Sequence, residues 1–225
     1  MKKLPDLLLK TPVFAAFSTS DLEEATQLAS TRSYLKGEKV ILYGDLWPYL
    51  FLVKNGEIEA MKESSEGRFL RVASFGVGEL FWGLAFFHDD VPMPVTLDAR
   101  EDSSLYLWAR EDILPLLFRN GRASWELSRL MAERMQRASE ILEGLAFHPV
   151  AGRLARLLLD NFDTAGDAAI SRHLTLDEMA AHIGTTREMV CRALYSFSDK
   201  KLIEVTRTEF VLTNRTGLAQ LVERG

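Results

Sequence analysis

At roughly 100–200 residues per domain, a chain of 225 residues holds one large domain or two small ones. Its 47% hydrophobic and 26% charged residues, with 14 Gly and 7 Pro, exclude a disordered or collagen-like polymer and supply a core without disulfides or structural metal. The lone cysteine, Cys191, excludes an internal disulfide, a cysteine-rich zinc site and an iron–sulfur cluster. The sequence shows no signal-peptide pattern and no apolar run of about 18 residues, so it reads as a cytoplasmic protein with no membrane partner. The net charge of −5 is unevenly spread: residues 1–148 carry 17 Lys+Arg against 22 Asp+Glu, residues 149–225 carry 10 of each. Between Thr185 and Arg215 the balance turns positive, and any DNA contact belongs there.

In chain order, Leu22, Ala25, Leu28 and Ala29 recur at the spacing of one helical face, with Ser20 and Glu23 as a capping box. From Tyr34 to Leu107 short runs rich in aromatic and branched residues alternate with turn signals such as Lys36-Gly37-Glu38, Asn55-Gly56 and Gly76-Val77-Gly78. That rhythm predicts an antiparallel sandwich or barrel. After Arg110 the period becomes helical. Leu127, Met131, Arg134, Ala138, Ile141 and Leu145 alternate steps of four and three, the a/d seam of a coiled coil. Leu130, Met135 and Leu142 are assigned to cover the barrel while the seam meets a second copy of the chain. The alternative is an amphipathic helix packed on its own barrel.

Gly144 and Pro149 punctuate the end of that helix, and Pro149 suits the first turn of a new one. A helix from about Val150 to Phe162 and a loop over Asp163 to Arg172 precede two short helices. Capping boxes at Thr175–Glu178 and Thr185–Glu188 open them, and His182-Ile183-Gly184 makes the turn between. Two helices joined by a short turn containing Gly form a helix-turn-helix. Leu202–Val205 and Phe210–Leu212 read as the hairpin of a wing. On the second helix Met189, Val190, Ala193, Leu194 and Phe197 supply packing, while Arg187, Glu188, Cys191, Arg192 and Tyr195 share the outward face. Such a helix sets its first residues against base edges, where arginine pairs with guanine and a carboxylate accepts from cytosine. The alternative is a solvated face with an Arg/Glu pair.

Arg187-Glu-Met-Val-Cys-Arg192, preceded by Gly184-Thr-Thr186 and followed by Lys201-Leu-Ile203, resembles the recognition helix of the cyclic-AMP receptor/fumarate-nitrate regulator superfamily. The similarity spans nearly the whole chain, with Lys36-Gly37-Glu38, Asn55-Gly56 and Gly78-Glu79-Leu80 in front and Arg137–Phe147 resembling the pairing helix and hinge. The resemblance implies an α+β architecture. An antiparallel jelly-roll barrel of the cyclic-nucleotide-binding type (1–109) is followed by a dimerisation helix and hinge (110–148) and a winged helix-turn-helix (149–225). It implies a homodimeric regulator of transcription that binds double-stranded DNA and meets RNA polymerase. Arg187, Glu188 and Arg192 would read bases of TGTGA-like half-sites, and Thr175 and Thr186 would touch phosphates; helical spacing sets Cys191 on the same DNA-facing side, and Arg207 falls in the wing read from the sequence.

Within the family a Gly-Glu-Leu and a following Arg-Ser pair hold the cyclic nucleotide. Here Glu79 is kept, but Met93-Pro94 stands where Arg-Ser belongs, and Asp89 and Asp90 would repel a phosphate. The threonine of the pairing helix is replaced by Ala138, although Ser139 remains. These departures argue against cyclic AMP. The aromatic residues Trp47, Phe81, Trp82, Phe86 and Phe87 fill the barrel or line a pocket for a small-molecule effector of unknown identity. The pocket reading takes Glu79, Phe81, Trp82, Phe86 and Ser139 as its lining. Two alternatives stay open: a haem-dependent gas sensor with His88 on the iron, and a dimer that binds DNA without an effector. His88, His148, His173 and His182 are scattered and no catalytic triad or phosphate-cradling loop is evident, so an enzyme is not expected.

Overall fold

The computed structural model describes residues 4–165, 169–171, 174–206 and 209–223. Three short helices come first: α1 (Leu4–Leu8), α2 (Pro12–Ala15) and α3 (Thr19–Leu28). Helix α3 is capped by Ser18, in extended conformation with its hydroxyl accepting from the Asp21 amide at 3.2 Å. Ser20, the sequence-based cap, lies inside the first turn instead.

Eight strands follow: β1 (Ser30–Tyr34), β2 (Lys39–Ile41), β3 (Tyr49–Asn55), β4 (Ile58–Glu63), β5 (Phe69–Phe75), β6 (Leu80–Trp82), β7 (Thr96–Ala99) and β8 (Ser103–Ala109). They form two four-stranded sheets, ordered β1-β8-β3-β6 and β2-β7-β4-β5. Both sheets keep their edges, so the architecture is a jelly-roll sandwich rather than a closed barrel. Strands β3 and β8 are buried on both faces, which is why their sequences run apolar without a break. Phe51, Val53, Leu105 and Leu107 point between the sheets, with Val40, Ile58, Phe81 and Met93. Leu50, Leu52, Tyr106 and Trp108 point the other way, onto a layer of helices that contributes Leu8, Phe14 and Ile113. The Trp108 indole N–H donates to the Ala25 carbonyl at 2.6 Å, tying β8 to α3.

Helix α4 (Arg110–Arg119) ends at Asn120, which opens the next helix: its amide oxygen accepts from the Ala123 N–H at 3.0 Å while its amide N–H2 donates to Ala16. Helix α5 (Gly121–Phe147) then runs 27 residues. The remainder is α6 (Val150–Ala165), β9 (Ala169–Ser171), α7 (Leu176–Ile183), α8 (Arg187–Asp199), β10 (Ile203–Val205), β11 (Glu209–Leu212) and α9 (Arg215–Glu223). The wing carries a third strand, in the order β10-β11-β9, within a segment whose sequence predicts a loop. Leu154, Leu158, Phe162, Met179, Ile183, Val190, Leu194, Phe197, Phe210 and Leu218 make a separate core. Two compact units result: Met1–Lys62 with Val72–Gln136, and Glu63–Arg71 with Arg137–Gly225. Helix α5 contributes to both.

Candidate nucleic-acid interface

Helix α7 opens on a full capping box: the Glu178 amide donates to the Thr175 hydroxyl at 3.2 Å and the Thr175 amide to the Glu178 carboxylate at 2.6 Å. It closes on Gly184 in the left-handed region, φ 63°, where a side chain would be strained. A Cβ there would also stand 2.5 Å from Leu145 Cδ2 and 3.1 Å from Leu70 Cδ1. Helix α8 starts one residue later than the second predicted capping box requires. Thr186, not Thr185, is its cap, with the Met189 amide 3.4 Å from its hydroxyl. That shift takes Glu188 out of the capping position, and its carboxylate accepts from the Arg192 guanidinium at 2.5 Å instead.

Val190, Ala193, Leu194 and Phe197 are buried beneath α8, whereas Met189, counted with them in the sequence, is half-exposed. On the outer face the side chains of Arg187, Glu188 and Arg192 are 64%, 71% and 68% exposed. Arg187 pairs with Asp177 of α7 at 3.1 Å. Exposed ion pairs of this kind contribute about 0–1 kcal/mol, so both guanidinium groups can exchange their partners for a guanine or a phosphate at small cost. Cys191 is half-buried between the two arginines in sequence, and Tyr195 is 77% exposed one turn further on. Arg207 lies outside the described residues.

The front unit places its predicted residues differently from the pocket inferred from sequence. Phe81 and Trp82 are adjacent on β6 and face opposite ways, as strand geometry demands. Phe81 enters the space between the sheets, while Trp82 and Phe86 pack on the helical layer. These aromatic residues therefore do not line one pocket. Between the sheets the rings stack in a column: Trp47 on Phe51 at 6.0 Å, Phe51 on Phe81 at 4.5 Å and Phe81 on Phe75 at 4.6 Å. A guanidinium caps each end, Arg32 at 5.3 Å from the Trp47 ring and Arg134 at 4.7 Å from the Phe75 ring.

Glu79 closes the β5–β6 turn, its carboxylate accepting from the Gly76 amide at 2.8 Å and lying 3.4 Å from the Arg134 guanidinium. The Met93 side chain is buried in the inter-sheet core, and Pro94 is exposed and has no N–H to offer. Asp89, read from the sequence as a repelling charge, is hydrogen-bonded by Arg110, which holds its carboxyl below the usual range. These residues do not fit a cyclic phosphate. They do not fit haem either: His88 is exposed in a loop, with Nδ1 3.2 Å from the Asp89 carbonyl, and the rings near the sheets are already packed on one another. Ser139 is exposed on α5.

Along α5 the expected seam divides. Leu127 is buried in the core of the front unit, with Leu130 packed beside it, and Arg134 turns to Glu79 and Phe75. Met131 and Ala138 are exposed and Ile141 and Leu145 half-buried. Met135 and Leu142, assigned from the sequence to cover the barrel, are 73% and 66% exposed. The front unit takes 127, 130 and 134, and these two residues fall about a quarter-turn around the helix from them.

Sequence reasoning passed over Arg153. A cation in the first turn of a helix opposes the helix dipole, and that oddity was its only signal. Its guanidinium donates to the carbonyls of Gly144, Leu145 and His148 at 3.3, 3.4 and 2.9 Å.

Residues 31–120 match the cyclic nucleotide-binding domain, and residues 152–221 match the Crp-like helix-turn-helix domain. The chain is 29% identical over 196 residues to the cyclic AMP receptor protein of Thermus thermophilus, covering 87% of this chain and 89% of that one. It is 28% identical over 188 residues to the cAMP-activated global transcriptional regulator Vfr of Pseudomonas aeruginosa, covering 77% and 85%. Among solved structures, a putative transcriptional regulator of the crp/fnr family from Eubacterium rectale shares the fold with a TM-score of 0.78 at 21% identity, covering 94% of this chain and 98% of that one. No helix among the described residues is long and apolar enough to cross a membrane. With a jelly-roll that matches the cyclic nucleotide-binding domain and a C-terminal unit that matches the Crp-like helix-turn-helix domain, the chain belongs to the CRP/FNR superfamily of transcriptional regulators.

Proposed function

We propose that two copies of this chain bind a palindromic operator with TGTGA-like half-sites. Residues 1–109 form the front domain, 110–148 pair the copies and 149–225 read the DNA. The observation that carries this reading is the outer face of α8: Arg187, Glu188 and Arg192 stand exposed at the start of a capped helix whose inner face is fully packed. Arginine there takes guanine O6 and N7 in a bidentate pair, and the carboxylate accepts from cytosine N4. Thr175 and Thr186 spend their hydroxyls on helix caps and still present them at the surface for phosphate contact.

Pairing is supported by what α5 leaves uncovered. Met131, Met135, Ala138 and Leu142 are exposed and follow one another at steps of four, three and four, a coiled-coil seam that keeps Met131 and Ala138 of the one read in the sequence and takes Met135 and Leu142 in place of Arg134 and Ile141. Two-fold pairing sets the half-site centres about 34 Å apart, one turn of DNA. Selection from random duplexes tests this: the expected product is an inverted repeat related to TGTGA and TCACA, and recovery of direct repeats or single half-sites overturns it.

On control, the packed ring column and the Glu79–Arg134 pair favour a dimer that binds DNA without a nucleotide in the jelly-roll. Met93 and Pro94 stand where the family resemblance places the residues that hold the phosphate. Contact with RNA polymerase follows from the family and belongs to the same proposal, as does a regulatory rather than catalytic role.

A further inference from the structure

We propose that Arg153 is a positioning residue: it fixes the start of the recognition helix to the end of the pairing helix and so sets the half-site spacing that the dimer accepts. The proposal rests on the reading of the protein as a paired operator binder.

The last carbonyls of a helix have no intrahelical donor, and their partial negative charge favours a cation. The Arg153 Nη1 meets this need at the end of α5, donating to Gly144 and Leu145 and to His148 just beyond. Its Nη2 reaches Gly184 O at 3.5 Å. Gly184 is the left-handed residue that ends α7, two residues before the cap of α8. The same pair of elements also meets by packing, for the space a Cβ would fill at Gly184 is held by Leu145. One guanidinium and one leucine therefore join the end of α5 to the turn that launches α8.

The anchor is itself fixed. Arg153 follows Gly152, where a Cβ would stand 2.8 Å from the Leu221 carbonyl of α9, so α6 is pressed against α9 at this point. The guanidinium bonds go to carbonyl oxygens. Burial lowers the pKa of the guanidinium from its ordinary value. A cation partly withdrawn from water and committed to backbone atoms of two elements reports and enforces their relative placement.

Two-fold symmetry doubles any slack. A shift of α8 along the operator relative to α5 changes the distance between the two recognition helices by twice that shift. DNA offers a step of about 3.4 Å per base pair, so even a small loosening reaches the next register.

The test uses the full-length dimer and the selected palindrome with its central spacer at native length, one base pair shorter and one longer. Wild type is expected to prefer the native spacer. In Arg153→Gln that preference should fall about tenfold, the equivalent of one hydrogen bond to a charged group, with base preference inside each half-site unchanged. Arg153→Lys keeps the charge but not the planar fork and should lie between the two. If Arg153→Gln does not fold, the lysine variant decides by the same ratio. An unchanged spacer preference in a folded variant, or an equal loss of affinity at all three spacers, overturns the positioning role and leaves the operator reading intact. Wild type indifferent to spacer length overturns the paired reading and the proposal with it.

Discussion

Arg187 and Arg192 make the most direct demand on experiment. Each is solvent-exposed and pairs with a carboxylate, so alanine at either position removes a proposed reader without disturbing the core. The expected loss is about 1–3 kcal/mol of discrimination at one guanine position, read by competition between operators differing at one base pair. Replacing Arg207, which follows β10 in sequence, should instead weaken all sequences alike. Thr175→Ala removes a capping box and should cost about 1 kcal/mol of stability in denaturant unfolding. Two carboxyls carry a pH signature. Asp21 is held down by the Ser18 hydroxyl and Arg119, and Asp89 by Arg110, both below the ordinary 3.8. Their pKa is lower folded than unfolded, so they favour the folded state above pH 3.8 and that contribution fades as pH drops through the folded values. Carboxyl chemical shifts followed through acid titration check this, and midpoints at or above 3.8 refute it. The α8 face was legible in the sequence because helical spacing alone places it. Its cap was harder to read: Thr185 and Thr186 are chemically equal, and only the backbone conformation after Gly184 selects between them. Arg153 was illegible because its partners are backbone carbonyls, which leave no trace in side-chain patterns.

Helix α5 shows what a period can and cannot tell. The sequence establishes the helix, since nothing but Gly144 interrupts it. It does not establish which stripe meets which partner, because Leu127, Leu130, Met131 and Met135 are all apolar and the choice depends on where the outer sheet face presents its hollow. The structure buries Leu127 and leaves Met135 exposed, and on the proposed pairing substitutions should separate the two. Leu127→Ala in the packed core should destabilise the chain by about 2–5 kcal/mol and leave pairing intact once folded. Met135→Asp on the bare side should leave the melting temperature of the chain nearly unchanged in dilute solution while abolishing the dimer in sedimentation. The reverse pattern would restore the original seam. Short elements were the least legible: β9 spans 3 residues, too few for any alternation, and exists because β11 offers it an edge. The ring column escaped notice for a related reason, since Phe51, Phe75 and Phe81 come from three strands that only the sheet registers bring together.

Two units with separate cores should unfold in two steps. Calorimetry is expected to resolve two transitions, or a van't Hoff enthalpy well below the calorimetric one, and a single two-state transition would show that the cores are coupled. Ligands that bind a folded state raise its melting temperature by mass action. Cyclic AMP should therefore shift neither transition nor operator affinity, and micromolar binding by titration calorimetry would reverse the reading of Met93 and Glu79. The ring column also bears on time. A pocket that a metabolite enters and leaves lets a cell reset its regulator without making or destroying protein. On the proposed reading, in which the ring column takes the place of an effector, the jelly-roll offers no such lever, and what remains is the number of molecules. In a proposed dimer of this kind two protomers must meet, so operator occupancy at low abundance would climb with the square of that number and would fall only as the protein is degraded or diluted by growth. A promoter governed this way follows the pace of cell division rather than that of a changing metabolite pool.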